Sequence, residues 1–290
     1  MRTPPALPSP STWSALLDRA LAEDIGTGDL TGELTIPEHV EGRARIETRQ
    51  ALVACGVLVA QEAFLRVDPQ IACTIEIRDG ASVAADQVLM RVHGPLRSIL
   101  TAERVALNFL GRLSGIATWS RRFVDAIRQT EAVVVDTRKT TPGWRHLEKY
   151  ATAVGGVQNH RMDLSDGILI KDNHIAACHG VRNAFEKARS AAPPGIPVQV
   201  EVQSEQEALE AVEAGADFLL LDNFEPEAVE NTVRRIGSRA ILEASGGLTL
   251  DNIAAFARTG VSRLSVGALT HSADSADVSL EIEHADQSPQ

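Results

Sequence analysis

The chain has 290 residues, 44% of them apolar and 23% charged, enough for one large domain with a smaller companion. A formal net charge of −11 and an aromatic content of 4% disfavour a nucleic-acid partner, whose phosphates and bases call for a basic face with stacking rings. The longest apolar run, ALVACGVLVA, is about half the ~20 residues of a membrane helix, and three cysteines (Cys55, Cys73, Cys178) without CxxC spacing suit neither a disulfide framework nor a zinc knuckle. No basic-then-apolar leader opens the sequence, so the expected setting is the reducing cytoplasm, away from membranes.

The proline-rich start MRTPPALPSP and the polar end HADQSPQ read as frayed termini. STWSALLDRALAEDIG predicts a short amphipathic helix, capped by Ser11 or Ser14 and stopped by Gly26. Between Gly42 and Gly94, short β-like stretches (ARIETRQALVAC, ACTIEIRDG, VLMRVHG) separated by turn residues predict a compact sheet domain. From Leu96 a long helical pattern, RSILTAERVALNFLGRLSGIATWSRRFVDAIRQ, bridges into a second region.

There, strand-length apolar runs (AVVVD, DGILI, PVQVEV, DFLLLD, RAILEAS, RLSVG) alternate with helical stretches (RHLEKYATAV, VRNAFEKARSA, SEQEALEAVEAG, PEAVENTVRRIG, DNIAAFARTG). Ser204 with Glu207 makes a capping box, and Gly215 stands where a helix should stop. Strands separated by helices imply a parallel sheet buried on both faces. Such a sheet is either doubly wound or an αβ barrel.

The strand ends favour the barrel. They read Asp136-Thr137-Arg138-Lys139, Lys171-Asp172-Asn173, Glu201, Asp222-Asn223, Glu243 to Gly247, and Ser265 to Ala268. A barrel gathers site residues from several strands at this face, whereas a doubly wound sheet concentrates ligands at one switch point. The glycine-rich ends Ser245-Gly246-Gly247 and Val266-Gly267-Ala268 suit a phosphate, with a helix N-terminus expected directly behind, although either could be a plain turn. Glu201 and Asp222 each follow apolar residues, where a carboxylate needs a cation: Mg²⁺ shared with a pyrophosphate, or a salt bridge to Lys139 or Lys171. From Arg97 to Lys171 twelve Lys or Arg face seven Asp or Glu, a local excess of five in an acidic chain, which suits a small polyanion or scattered solvated charges equally. Arg138, Lys139 and Lys171 sit at strand ends and so converge; His160, beside Arg161, is either a core histidine or a ligand contact.

These motifs resemble the quinolinate phosphoribosyltransferase family, also called nicotinate-nucleotide pyrophosphorylase (carboxylating). The likeness runs through AEDIGTGDLT (22–31), AERVALNFLGRLSGIAT (102–118), DTRKTTPGWRHLEKYA (136–151), NHRMDLSDGILIKDNHI (159–175), VEV (200–202), LLLDN (219–223), LEASGGLTLDNI (242–253) and GVSRLSVGALTHSA (260–273). It implies an α/β chain: an N-terminal α/β sandwich (1–112, with 275–290 packed back on it) and an incomplete αβ barrel of the type II phosphoribosyltransferase kind (113–274). The implied reaction joins quinolinate and phosphoribosyl pyrophosphate into nicotinate mononucleotide, pyrophosphate and CO₂, on the route to NAD. By resemblance Arg138, His160, Arg161 and Thr137 bind quinolinate, and Lys139 and Lys171 serve both substrates. Glu201 and Asp222 handle ribose and Mg²⁺, directly or indirectly, and the 245–247 and 266–268 turns take phosphate. Arg104 reaches the neighbouring site of a homodimer or higher oligomer. Val157 and Ser262 depart from the family pattern and bear on loop geometry only. Alternatives are a nicotinate phosphoribosyltransferase or molybdate-transport-associated paralogue of the same fold, and a non-catalytic barrel that keeps the pocket.

Overall fold

A computed structural model describes residues 5–286; Met1–Pro4 and Gln287–Gln290, the outer parts of the two ends expected to fray, lie outside the described residues. In chain order the elements are α1 (Ser14–Ile25), α2 (Leu30–Thr35), β1 (Glu41–Thr48), β2 (Leu52–Val53), α3 (Val57–Val67), β3 (Ala72–Ile75), β4 (Ser82–Val83), β5 (Val88–Pro95) and α4 (Leu96–Ala126). Then come β6 (Val133–Val135), α5 (Arg145–Val154), β7 (Ile168–Ile170), α6 (Asp172–Ala177), α7 (Val181–Ala191), β8 (Val198–Val202), α8 (Glu205–Glu213), β9 (Phe218–Asp222) and α9 (Pro226–Ile236). β10 (Ile241–Ser245), α10 (Ile253–Arg258), β11 (Arg263–Ser265), α11 (Ala268–His271) and β12 (Val278–Asp286) complete the chain. No helix among the described residues is long and apolar enough to cross a membrane.

The chain divides into two compact units: residues up to Arg121 with Thr141–Gly156 and the segment from Ser272, and Arg122–Thr140 with Val157–His271. The first carries an antiparallel sheet in the order β12-β1-β5-β3. Period-two alternation along β1 sends Ala44 and Ile46 into the core, while Arg43 and Arg45 point outward. The buried face packs on α1, α3, α4 and α5 through Leu17, Phe64, Leu110 and Leu147, giving the α/β sandwich. On the open face Arg45 pairs with the largely covered Glu47 (2.7 Å), and Arg91 with Glu283 (2.6 Å), a more exposed pair that contributes little stability.

Three local expectations change. Ser14 begins α1 instead of capping it; the N-cap is Trp13, buried and tied by its indole N–H to the Pro8 carbonyl at 3.0 Å. Gly26 ends α1 with φ 58°, as expected. The apolar GVLVAQEAFLRV, read within a sheet region, contains α3, because the Asp79 carboxylate accepts from the Gly56 and Val57 N–H groups (2.9 and 3.0 Å) and caps its first turn. Residues 284–286, expected to fray, belong to β12, which pairs antiparallel with β1 from Thr48↔Val278 to Glu41↔Asp286.

In the second unit all six strands run parallel, in the order β6-β11-β10-β9-β8-β7. From β7 to β11 the order follows the chain without reversal, so the sheet has no switch point; β6 then lies beside the last strand, β11. This is an αβ barrel with six strands instead of eight, interrupted between β6 and β7. α5, which follows β6, belongs to the first unit, its Tyr150 hydroxyl donating to Asp79 at 2.7 Å. α7, α8, α9 and α10 supply the crossovers. Ser204 Oγ accepts from the Glu207 N–H at 3.2 Å, and Gly215 adopts φ 98° after α8. The three cysteines are free thiols; burial pushes that of Cys73 up to about 11.

Close approach fixes one glycine of the first unit. A Cβ on Gly115 of α4 would meet the Asp274 carbonyl oxygen at 2.0 Å. Gly115→Ala is therefore expected to lower stability by about 1–3 kcal/mol, despite the ~1 kcal/mol that alanine gains in a helix, and a urea titration measures the sign.

Candidate active site

The C-terminal ends of β6 to β11 surround a cavity of about 650 Å³. Register explains what faces it. Glu201 stands opposite Leu220, Leu220 opposite Glu243, and Glu243 opposite Arg263, so these side chains share the interior face of the sheet. Two residues further along, Asp222, Ser245, Ser265 and Val135 form the next layer, nearer the strand ends.

At the end of β6, Thr137, Arg138 and Lys139 line the cavity, together with His160 and Arg161 from the segment before β7. Asp136 is fully buried and organises this corner: its carboxylate accepts from the His160 N–H at 2.8 Å and the Asn159 amide at 2.6 Å. The Arg161 guanidinium donates to the Gly167 carbonyl at 2.7 Å. Burial, and then the charge of nearby Arg138, hold the Arg161 pKa below its ordinary value, with Asp163 acting in the opposite sense. A guanidinium disfavoured by burial and a like charge is relieved by an anion, and the planar forks of Arg138 and Arg161 match carboxylates.

On the other side, Lys171 forms an ion pair with Glu201, so the salt-bridge reading of that carboxylate holds in this structure. Asp222 accepts from the Asn223 amide at 2.8 Å. Asn223 itself adopts φ 58°, and its N–H donates to the Ser245 carbonyl at 2.8 Å, locking the ends of β9 and β10 together. The chain then has room only for glycine at 246, since a Cβ there would meet Asn223 Oδ1 at 2.1 Å. Ser245, Gly246 and Gly247 line the cavity, but α10 begins only at Ile253, so no helix N-terminus lies directly behind this turn. The Gly267 turn does run straight into α11, and a Cβ there would meet Lys139 Cδ at 3.0 Å and His271 Nε2 at 3.2 Å.

Two expected residues stand elsewhere. Val266 is buried and donates its N–H to the Val135 carbonyl at 2.9 Å, so its backbone is spent on the sheet. Arg104 is exposed on α4 in the first unit, where with Asn108, Ser275 and Asp277 it lines a separate cleft of about 270 Å³. Arg145 and Lys149, from the cationic segment, fall on α5 in the first unit. Sequence reasoning missed Leu169, Leu220, Leu248, Thr249 and His271 among the lining residues. Inward orientation is the signal that finds the first two, and His271 follows Gly267 by one helical turn.

The donor chemistry also bears on a cation. No cluster of three or more His, Cys, Asp or Glu able to hold a metal exists among the described residues, so an all-protein cage is absent there. Glu201 and Asp222 at neighbouring strand ends do fit Mg²⁺, which is commonly held by one or two carboxylates plus substrate oxygens.

Residues 29–114 match the family described as quinolinate phosphoribosyl transferase, N-terminal domain, and residues 116–281 its C-terminal domain. The chain belongs to the quinolinate phosphoribosyltransferase family. It is 41% identical over 273 residues to a Bacillus subtilis protein named probable nicotinate-nucleotide pyrophosphorylase [carboxylating], covering 94% of each chain. The Homo sapiens nicotinate-nucleotide pyrophosphorylase [carboxylating] is 39% identical over 94% of this chain and 92% of its own. The crystal structure of NadC from Streptococcus pyogenes superposes with a TM-score of 0.92 at 37% identity, covering 97% of this chain and 99% of that one. Family membership thus agrees with the sandwich and incomplete barrel.

A small aromatic dicarboxylate such as phthalate is expected to raise the thermal midpoint by about 2–4 °C when well above its dissociation constant. The shift should vanish in both Arg138→Gln and Arg161→Gln; its persistence in both would place the anion elsewhere.

Proposed function

We propose that this chain catalyses the quinolinate phosphoribosyltransferase reaction, converting quinolinate and phosphoribosyl pyrophosphate to nicotinate mononucleotide, pyrophosphate and CO₂, a step towards NAD. The observation that carries this reading is the polarity of one cavity. Arg138 and Arg161 stand together at one corner, while the acidic residues Glu201 and Asp222 stand with Lys171 beside glycine turns at the other.

The two arginines would take the quinolinate carboxylates as forks, with Thr137 and His160 completing that side. The ring nitrogen then faces the ribose carbon that bears pyrophosphate. Lys139 stabilises the negative charge gathering on the departing pyrophosphate, and Glu201 and Asp222 lie where positive charge builds on the ribose. Lys171, paired with Glu201, can exchange that partner for substrate oxygens as the site fills. When bound at Glu201 and Asp222, Mg²⁺ supplies charge neutralisation to the diphosphate. The backbone at Gly246, Gly247, Gly267 and Ala268 admits phosphate closely because no side chain of 246, 247 or 267 intervenes. Once the ring nitrogen is quaternised, the 2-carboxylate departs as CO₂, its electron pair stabilised at C2 by the ring cation until that carbon takes a proton from water. The protein chiefly positions and neutralises.

A homodimer is part of this reading, with Arg104, exposed on the first unit, reaching the partner's cavity. The three free thiols suit a cytoplasmic setting.

With Mg²⁺ and phosphoribosyl pyrophosphate, quinolinate is expected to yield CO₂ and mononucleotide in equal amounts, and product from nicotinate alone would overturn the assignment. Arg161→Ala should lose about 30-fold or more in kcat/KM for quinolinate, equivalent to about 2–5 kcal/mol of transition-state binding. For Arg104, mixing inactive Arg104→Ala and Arg161→Ala subunits should regain activity through hybrid dimers that rebuild one intact site. No regain after demonstrated subunit exchange would exclude the shared site.

A further inference from the structure

Beneath the cavity the barrel interior is polar where a barrel core is ordinarily filled with branched apolar side chains. Gln199 on β8 is 2% exposed and Glu243 on β10 is fully buried. Glu243 Oε2 accepts from Arg263 Nε at 2.9 Å, and the Arg263 guanidinium lies 5.5 Å over the Phe218 ring. Buried polar groups of this kind are costly unless they serve a hydrogen-bond network. Two atoms stand outside it: Gln199 Nε2 and Glu243 Oε1 have no hydrogen-bond partner among the described residues. Stability alone does not explain them.

The ring of His160 ties this layer to the substrate site. Its Nδ1 accepts the Arg161 backbone N–H at 2.8 Å, so that nitrogen carries no proton. In the neutral ring the proton then sits on Nε2, which donates to Gln199 Oε1 at 3.0 Å, with Glu243 Oε1 3.6 Å away on the same side. The opposite tautomer would set an N–H against the Arg161 N–H and an unprotonated nitrogen against two acceptor oxygens. The Asp136 carboxylate holds the His160 backbone from the other side at 2.8 Å. Arg161, whose guanidinium faces the cavity, therefore has its peptide fixed by the ring beside it.

We infer that Gln199 is a positioning residue: it holds His160 in the Nε2–H tautomer that accepts the Arg161 N–H, and thereby sets Arg161 for the dicarboxylate. Gln199 itself does not line the cavity. The inference rests on the proposed reaction for its kinetic consequence but not for its structural one.

Gln199→Met keeps the length of the side chain and removes the acceptor; Gln199→Glu keeps an acceptor oxygen. Imidazole ¹⁵N spectra, with His160 assigned by its absence in His160→Asn, read the tautomer directly. The expected result is an Nε2–H signature in the parent and in Gln199→Glu, lost or mixed in Gln199→Met. In turnover, Gln199→Met should raise the KM for quinolinate by about tenfold or more, the scale for removing a partner that orients a histidine, with the KM for phosphoribosyl pyrophosphate little changed. A retained Nε2–H tautomer with unchanged quinolinate KM in Gln199→Met overturns the inference. So does an equal rise in both KM values, or loss of the tautomer in Gln199→Glu, either of which assigns the position to packing. Should Gln199→Met not fold, the Gln199→Glu spectrum decides. If the parent protein turned over no quinolinate, the proposed reaction would fail while the tautomer spectra still tested the hydrogen-bond scheme.

Discussion

The Asp136 carboxylate is the constraint on which the site depends. The barrel is interrupted between β6 and β7, so the stretch before β7 has no full strand ladder to place it. A short substitute exists: the Gln158 N–H donates to the Val134 carbonyl at 2.9 Å and the Asp136 N–H to the Gln158 carbonyl at 3.1 Å. Asp136 extends that pairing with its side chain, taking the N–H of His160 and the amide of Asn159. A buried carboxylate is tolerable only with such donors, and the donors here belong to the segment that must be held. One interaction thus compensates a buried charge and holds the segment whose His160 and Arg161 line the cavity.

The remainder of the site follows from strand register. Parallel pairing puts Glu201, Leu220, Glu243 and Arg263 on one interior face and Asp222, Ser245 and Ser265 on the layer above. Chemistry separates by depth. Residues of the upper layer and the loops beyond it line the cavity, while Gln199, Glu243 and Arg263 lie beneath it. A packed apolar interior would be more stable residue for residue, but it could not dictate which nitrogen of His160 carries the proton.

Much of the architecture was legible in the chain. The six strand-length runs, with the helices between them, correspond to β6 to β11 with α5 and α7 to α10, because strands buried on both faces must be apolar and parallel pairing demands crossovers. Elements defined by local pattern alone came through closely: RHLEKYATAV is α5 and VRNAFEKARSA is α7, residue for residue. α3 did not, since its apolar GVLVAQEAFLRV fits a buried helix and a strand alike, and the choice was made by Asp79, twelve residues beyond its last residue, capping its first turn. β12 was likewise hidden in a polar tail, because its partner β1 lies more than two hundred residues away.

The sequence by itself determined which residue types stand at the strand ends: cationic forks, an acidic pair and glycine turns. Those features are local: a strand that stops at Asp222 or Lys171 presents that side chain wherever the strand goes. Only the tertiary structure decided that α5, with Arg145 and Lys149, belongs to the sandwich unit, that Val266 spends its N–H on the sheet, and that Arg104 lines a different cleft from Arg138 and Arg161. It alone revealed the polar layer under His160. Period-two alternation tells which residues share a face, but which faces meet across a closed interior depends on register between strands that are dozens of residues apart.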